Sequence, residues 1–115
     1  MSSYSKPVTV LITSRIKPDK METAKLELEK VIKIVIEQEN ACQGIQVYDD
    51  PGDPQRLLII EKWTSKDIFL GPHMQTPHMI AFMKIAESFL DGKAEFTYWN
   101  EMLSMAENLQ TNTTK

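Results

Sequence analysis

Arg56-Leu57-Leu58-Ile59-Ile60-Glu61-Lys62-Trp63 is the stretch on which the fold turns. Read as a strand, it sends Leu57, Ile59, Glu61 and Trp63 to one face and Leu58, Ile60 and Lys62 to the other, because successive side chains alternate across a sheet. The aliphatic run from Leu57 to Ile60 makes both faces apolar, which a strand with one wetted side does not tolerate. The sheet it belongs to must be covered twice.

Immediately upstream, Asp49-Asp50-Pro51-Gly52-Asp53-Pro54 is a dense turn signal, and Ile45 to Tyr48 before it reads as a short strand that pairs with Arg56 to Trp63 as a hairpin. Val8 to Ile16 is rich in β-branched residues and stops at Lys17-Pro18-Asp19, which marks the first strand. From Asp19 to about Asn40 the period becomes helical, with Met21, Ala24, Leu28, Val31, Ile32 and Val35 on one side; Asn40 to Gly44 ends that helix. Downstream, Ser65 to Leu70 reads as one or two helical turns, broken by Gly71-Pro72. Thr76-Pro77 then opens a second main helix with a capping hydroxyl and a proline at its first position. It runs to about Leu90, burying Ile80, Met83 and Ala86 or Phe82, Ile85 and Phe89, and ends at Gly92. Ala94 to Trp99 is the fourth strand, and Asn108 to Lys115 is a polar, mobile tail. The order βαββαβ defines an α+β, ferredoxin-like chain with one antiparallel sheet and two helices on one face. A second copy packed sheet against sheet, a homodimer, covers the other face most economically.

The chain is 115 residues long and 42% hydrophobic, enough for one domain and one core, which we place at residues 7–99 with 100–115 as a C-terminal extension. A net charge of −3 with scattered Lys and Arg gives no basic stripe, so no nucleic-acid partner is expected. The apolar runs are too short for a membrane span and Ser2-Ser3-Tyr4-Ser5-Lys6 is no signal peptide, which predicts no membrane and a cytoplasmic location. Cys42, the single cysteine, suits a reducing compartment and lies in a turn with no histidine near it in sequence.

The residues suited to chemistry cluster between the third strand and the second helix. Glu61-Lys62-Trp63-Thr64-Ser65 is followed by His73-Met74-Gln75-Thr76-Pro77-His78 and then Phe82 and Met83. Glu61 shares the register of Trp63; a half-buried carboxylate there needs a partner, Arg15 being the structural option, or else it holds its proton. His78 falls at the second position of a helix, where the positive dipole end disfavours protonation and suits a proton acceptor; the structural alternative is a hydrogen bond to a neighbouring loop. His73 precedes the helix and is free to face a cavity mouth. On one continuous helix the two rings would diverge by about 140°, so no metal site is expected. Met74, Met79 and Met83 suit either core or a pliable pocket lining. No phosphate loop or dinucleotide fingerprint occurs, so nothing local supports a nicotinamide or flavin cofactor.

The Glu-X-Trp strand end and the Thr-Pro-His helix start, at this separation, resemble the antibiotic biosynthesis monooxygenase family, over about Pro7 to Tyr98. The resemblance implies a dimeric α+β barrel and a cavity between sheet and helices in which Trp63 stacks on a flat substrate. Where haem-degrading members carry a histidine on the second helix and an asparagine on the first strand, this chain has Met83 and Ser14. Where polyketide oxygenases carry an asparagine before the strand-end tryptophan, it has Ile59. The resemblance then implies a small cofactor-independent monooxygenase taking a quinol- or phenol-like aromatic molecule. Such an enzyme must bind the ring, remove a proton and keep the anion dry. The residues expected to do so are Trp63 for stacking, His78 as base or relay, His73, Glu61 and Tyr48 for orientation, and Phe82 and Met83 as lining. The alternatives are a ligand-binding or stress-associated module without turnover and an isomerase using the same pocket.

Overall fold

The computed structural model describes residues 6–106. The tail expected over Asn108 to Lys115 lies outside them. Strand β1 (Val8–Arg15) leads into helix α1 (Met21–Gln38), strands β2 (Cys42–Asp50) and β3 (Asp53–Trp63), helices α2 (Lys66–Leu70) and α3 (Pro77–Ala86), and strand β4 (Glu95–Trp99). A 3-10 turn, His73–Gln75, joins α2 to α3. The four strands form one antiparallel sheet in the order β2-β3-β1-β4. This is the ferredoxin-like α+β architecture.

The strand register explains why the chain must close on itself. Val10 pairs with Glu61 and Ile12 with Ile59 across β1 and β3, so their side chains share the inner face with Leu57 and Trp63. Against that face α1 lays Ala24, Leu28, Val31 and Val35, which recur at helical spacing and are all buried. Phe69, Ala86 and Phe89 complete the core. On the outer face Leu11, Leu58 and Ile60 are partly accessible, and Tyr48 and Trp99 are exposed at 45% and 56%. The two-sided apolar character of β3 thus survives in the folded chain.

Two boundaries are moved from the sequence reading by contacts distant in sequence. Strand β2 begins at Cys42 rather than Ile45 because its bulge between Cys42 and Gly44 lets the chain pair with the end of β3. Helix α3 ends at Ala86 rather than near Leu90: Lys17 N–H donates to Phe89 O at 2.9 Å, and Leu90 bridges to Ile16. The early stop also changes the buried stripe. Met79, Phe82 and Ala86 face inward, whereas Ile80, Met83 and Ile85 remain more than two-fifths exposed. Gly92 follows in the turn before β4 at φ +93°, a conformation that L side chains rarely adopt.

Leu57 is 2% exposed at the centre of the inner face. Replacing it with Ala is expected to cost about 2–5 kcal/mol in a denaturant titration, the usual loss for a large aliphatic side chain whose site cannot collapse.

Candidate functional site

Between the sheet and the helices lies a cavity of about 660 Å³. That is within the range of small-molecule sites. Ile12, Ile16, Leu28, Val31, Ile32, Val35 and Ile59 supply aliphatic walls, and Phe69, Phe82, Phe89 and Phe96 supply aromatic ones. Met74, Met79 and Met83 also line it, so the methionines flanking the histidines are pocket wall. The cavity reaches from Glu61, opposite Val10, to Ile16. Val10 and Ile16 are six residues apart along β1 and the residue that follows it, about 20 Å at the usual strand rise. His73 and Glu61 stand at one end of this channel; exposed Glu87, Gly92 and Lys93 line the other.

The polar end is built by capping. Ser65 accepts from Ile68 N–H at 3.1 Å and starts α2, which carries Phe69 over the end of β3. Thr76 accepts from Met79 N–H at 3.2 Å to start α3 and donates its own hydroxyl to His73 O at 2.9 Å. Its extended backbone, φ −67° and ψ 148°, breaks helical continuity between the two histidines. The rings consequently do not diverge as they would on one helix. They converge on Glu39, the residue that terminates α1.

Glu39 is the functional candidate that sequence reasoning missed. A carboxylate only accepts hydrogen bonds, so the ring nitrogen facing it carries a proton. His73 Nδ1–H donates to Glu39 Oε1 at 2.9 Å and to Oε2 at 3.0 Å, and His78 Nε2–H donates to Oε2 at 2.6 Å. His73 is 2% exposed, with its ring 4.4 Å from that of Trp63 and 5.2 Å from that of Phe69, the latter nearly parallel. Burial lowers its pKa, and the contact with Glu39 opposes that shift. Its Nε2 makes no hydrogen bond among the described residues, yet no buried side-chain nitrogen or oxygen there is left without a partner. Nε2 therefore retains open space, and the space beside His73 is the cavity.

Glu61 differs. It is buried, and its Oε1 accepts from Trp63 Nε1–H at 2.7 Å. Burial raises its pKa, the indole hydrogen bond works the other way, and nearby Glu39 raises it further. Its expected partner Arg15 instead pairs with Asp53 at 2.8 Å.

Three residues are placed otherwise than the sequence suggested. Trp63 is fully buried and does not line the cavity, because α2 and the 3-10 turn set Phe69 and His73 against it. Tyr48 pairs with Leu58 and lies exposed on the outer face, away from the cavity, because its register is opposite to that of Glu61. His78 contacts Glu39 and does not line the cavity. Phe82 and Met83 line it, as does Ser14. Cys42 is half-buried with its thiol pKa raised, chiefly by burial, which disfavours the nucleophilic thiolate. Among the described residues, no group of three or more His, Cys, Asp or Glu is arranged to hold a metal ion. No helix among them is long and apolar enough to cross a membrane.

Residues 7–85 match the antibiotic biosynthesis monooxygenase family, and the chain belongs to it. Solved structures share the fold at low identity. A conserved protein from Methanosarcina mazei Go1 superposes with a TM-score of 0.76 at 19% identity, covering 85% of this chain and 95% of its own. A protein from Pseudomonas aeruginosa gives 0.74 at 23%, covering 86% and 97%. A structure described as an antibiotic biosynthesis monooxygenase gives 0.74 at 18%, covering 84% and 99%. No curated protein matches the chain.

The raised pKa of Glu61 makes a prediction whose sign is fixed. The folded state favours the protonated carboxyl, so the contribution of Glu61 is fully present below its ordinary value of 4.5 and is lost as pH rises through the higher folded value. Glu61→Gln keeps an acceptor for the indole and cannot ionise. Thermal unfolding between acidic and neutral pH should show the variant gaining on the native protein as pH rises; a difference that stays constant, or moves in favour of the native protein, would show that Glu61 does not have a raised pKa.

Proposed function

We propose that this protein is a cofactor-independent monooxygenase that binds an elongated, largely apolar phenol or quinol with its ionisable hydroxyl at His73 and Glu61. The observation carrying this reading is the cavity itself: an apolar channel with a buried imidazole and a buried carboxyl at one end. Phe69, Phe82 and Phe96 provide the aromatic contact that had been expected of Trp63. Neutral His73 accepts the phenolic proton at Nε2, and the protonated carboxyl of Glu61 donates to a substrate oxygen.

The electron-rich phenolate is then the reductant. Its ring carbon, still bearing hydrogen, forms a bond to dioxygen and gives a hydroperoxide; loss of that hydrogen and cleavage of the O–O bond leave a carbonyl and water. One oxygen atom enters the product, the other becomes water, and the substrate supplies all four electrons. The protein contributes a base, a dry site and orientation.

A homodimer is part of this reading. Leu58, Ile60, Leu11, Tyr48 and Trp99 form one apolar outer surface on the sheet, and fully exposing a side chain of that size forgoes about 1.5–3 kcal/mol. A second copy offers the same surface for isologous packing. Sedimentation at micromolar concentration should give a dimer that Leu58→Lys dissociates; a folded native monomer would defeat the proposal.

The activity is tested by oxygen uptake with alkylated and fused-ring quinols, using isotopically labelled dioxygen. The expected result is one labelled atom in product and one in water, and His73→Ala should lower turnover by about 10²–10⁴, the usual contribution of a positioned base. Stoichiometric binding without uptake would instead make the chain a binding module, and hydrogen exchange into an isomerised product without uptake would make it an isomerase.

A further inference from the structure

Glu39 lies where local electrostatics oppose it. It caps the C-terminus of α1, the negative end of the helix dipole, and no basic residue occupies the last turn of that helix. Its side chain is nevertheless 11% exposed, held by the two histidines and not released to solvent. His78 stands at the second position of α3, so its donor approaches from the positive end of another helix. A carboxylate set between two helix ends, with both oxygens occupied by imidazole N–H groups, is a built arrangement with a definite consequence for the ring that faces the cavity.

A neutral imidazole divides its one proton between two nitrogens, and only the unprotonated nitrogen can act as a base. We propose that Glu39 is the positioning residue of the site: it fixes the Nδ1–H tautomer of His73 and thereby presents an unprotonated Nε2 to the cavity. The proposal rests on the oxygenase reading for its use but on geometry for its existence. Nδ1 lies 2.9 and 3.0 Å from the two oxygens of Glu39, and the ring packs against both Trp63 and Phe69, whose own rings also touch; a flip that exchanged its nitrogens would lose the contact with Glu39. His78 anchors Glu39 from the far side and does not meet the substrate.

The proton balance gives the carboxylate a second task. In the proposed reaction no proton is released overall: the water formed takes the proton lost from the ring carbon and the one His73 removes from the hydroxyl, and the latter returns to the oxygen that leaves. It must therefore be stored in a dry site between the two steps. Imidazolium beside the Glu39 carboxylate is a stable form of that store, since its charge is balanced by a hydrogen-bonded counter-ion.

The test reads the tautomer directly and needs no substrate. Nitrogen NMR of the imidazoles in the full-length protein should show His73 protonated at Nδ1 and unprotonated at Nε2. Glu39→Gln offers an amide N–H as well as an oxygen, so it should admit the Nε2–H tautomer, and turnover should fall by about 10²–10⁴ with little change in KM. Glu39→Asp, which remains acceptor-only, should retain the native tautomer. An Nε2–H tautomer in the native protein would overturn the proposal whether or not the variants fold, as would Glu39→Gln with native turnover. The expected tautomers with no oxygen uptake on any quinol would uphold the positioning and overturn the oxygenase reading alone.

Discussion

One carboxylate holds the polar end of this protein together. Glu39 terminates α1, His73 belongs to the turn that follows α2, and His78 opens α3. Their meeting ties three segments that the sheet alone would leave adjacent but unregistered. The caps fall into place around it: Ser65 starts the helix that covers the end of β3, and Thr76 bonds to His73 while starting α3. Removing the carboxylate would leave buried imidazole N–H groups without acceptors, a loss of about 1–3 kcal/mol for each. The backbone path from α2 to α3 and the orientation of the candidate base are thus set by the same contact.

The layered architecture was legible in the residues because it depends on patterns that recur locally. The change from the β-branched run of β1 to the helical spacing of α1, the Asp-Pro-Gly turn, and the Thr-Pro start of α3 are each set within a few residues. What was not legible depends on partners distant in sequence. Nothing in Asp49 or Gln43 announces that β2 spans Cys42–Asp50; that follows from its pairing with β3. Likewise, Glu87 to Leu90 keep a helical period but leave the helix because Lys17 and Ile16 offer them better backbone partners.

The site was legible to the same extent and for the same reason. Both histidines and Glu61 declare themselves by chemistry and position, and all three form part of the polar cluster. Glu39 does not, because Glu37-Gln38-Glu39-Asn40 reads as a solvated helix end. A signal existed. An acidic residue at a helix C-terminus, where cations are favoured, is locally misplaced and calls for donors from elsewhere. The error over the histidines had a related origin, since treating His73 to His78 as one helix makes the rings diverge, whereas the extended conformation of Thr76 reverses that conclusion.

Trp63 shows how a residue can matter to a cavity that it does not line. Its indole occupies one oxygen of Glu61, so the remaining capacity of that carboxyl is what a bound molecule can meet. Its ring also packs against that of His73, 4.4 Å away. With Phe69 as a second wall, the arrangement leaves the histidine one nitrogen for Glu39 and one for the cavity. An exposed indole would have served as a stacking surface, but it would have admitted water beside both titratable groups. Buried, it belongs to the desolvated surroundings that raise the pKa of Glu61 and lower that of His73, while its own N–H to Glu61 opposes the first of these shifts. The sequence puts Trp63 in register with Glu61; packing buries the indole against Phe69 and His73 and leaves the cavity wall to other side chains.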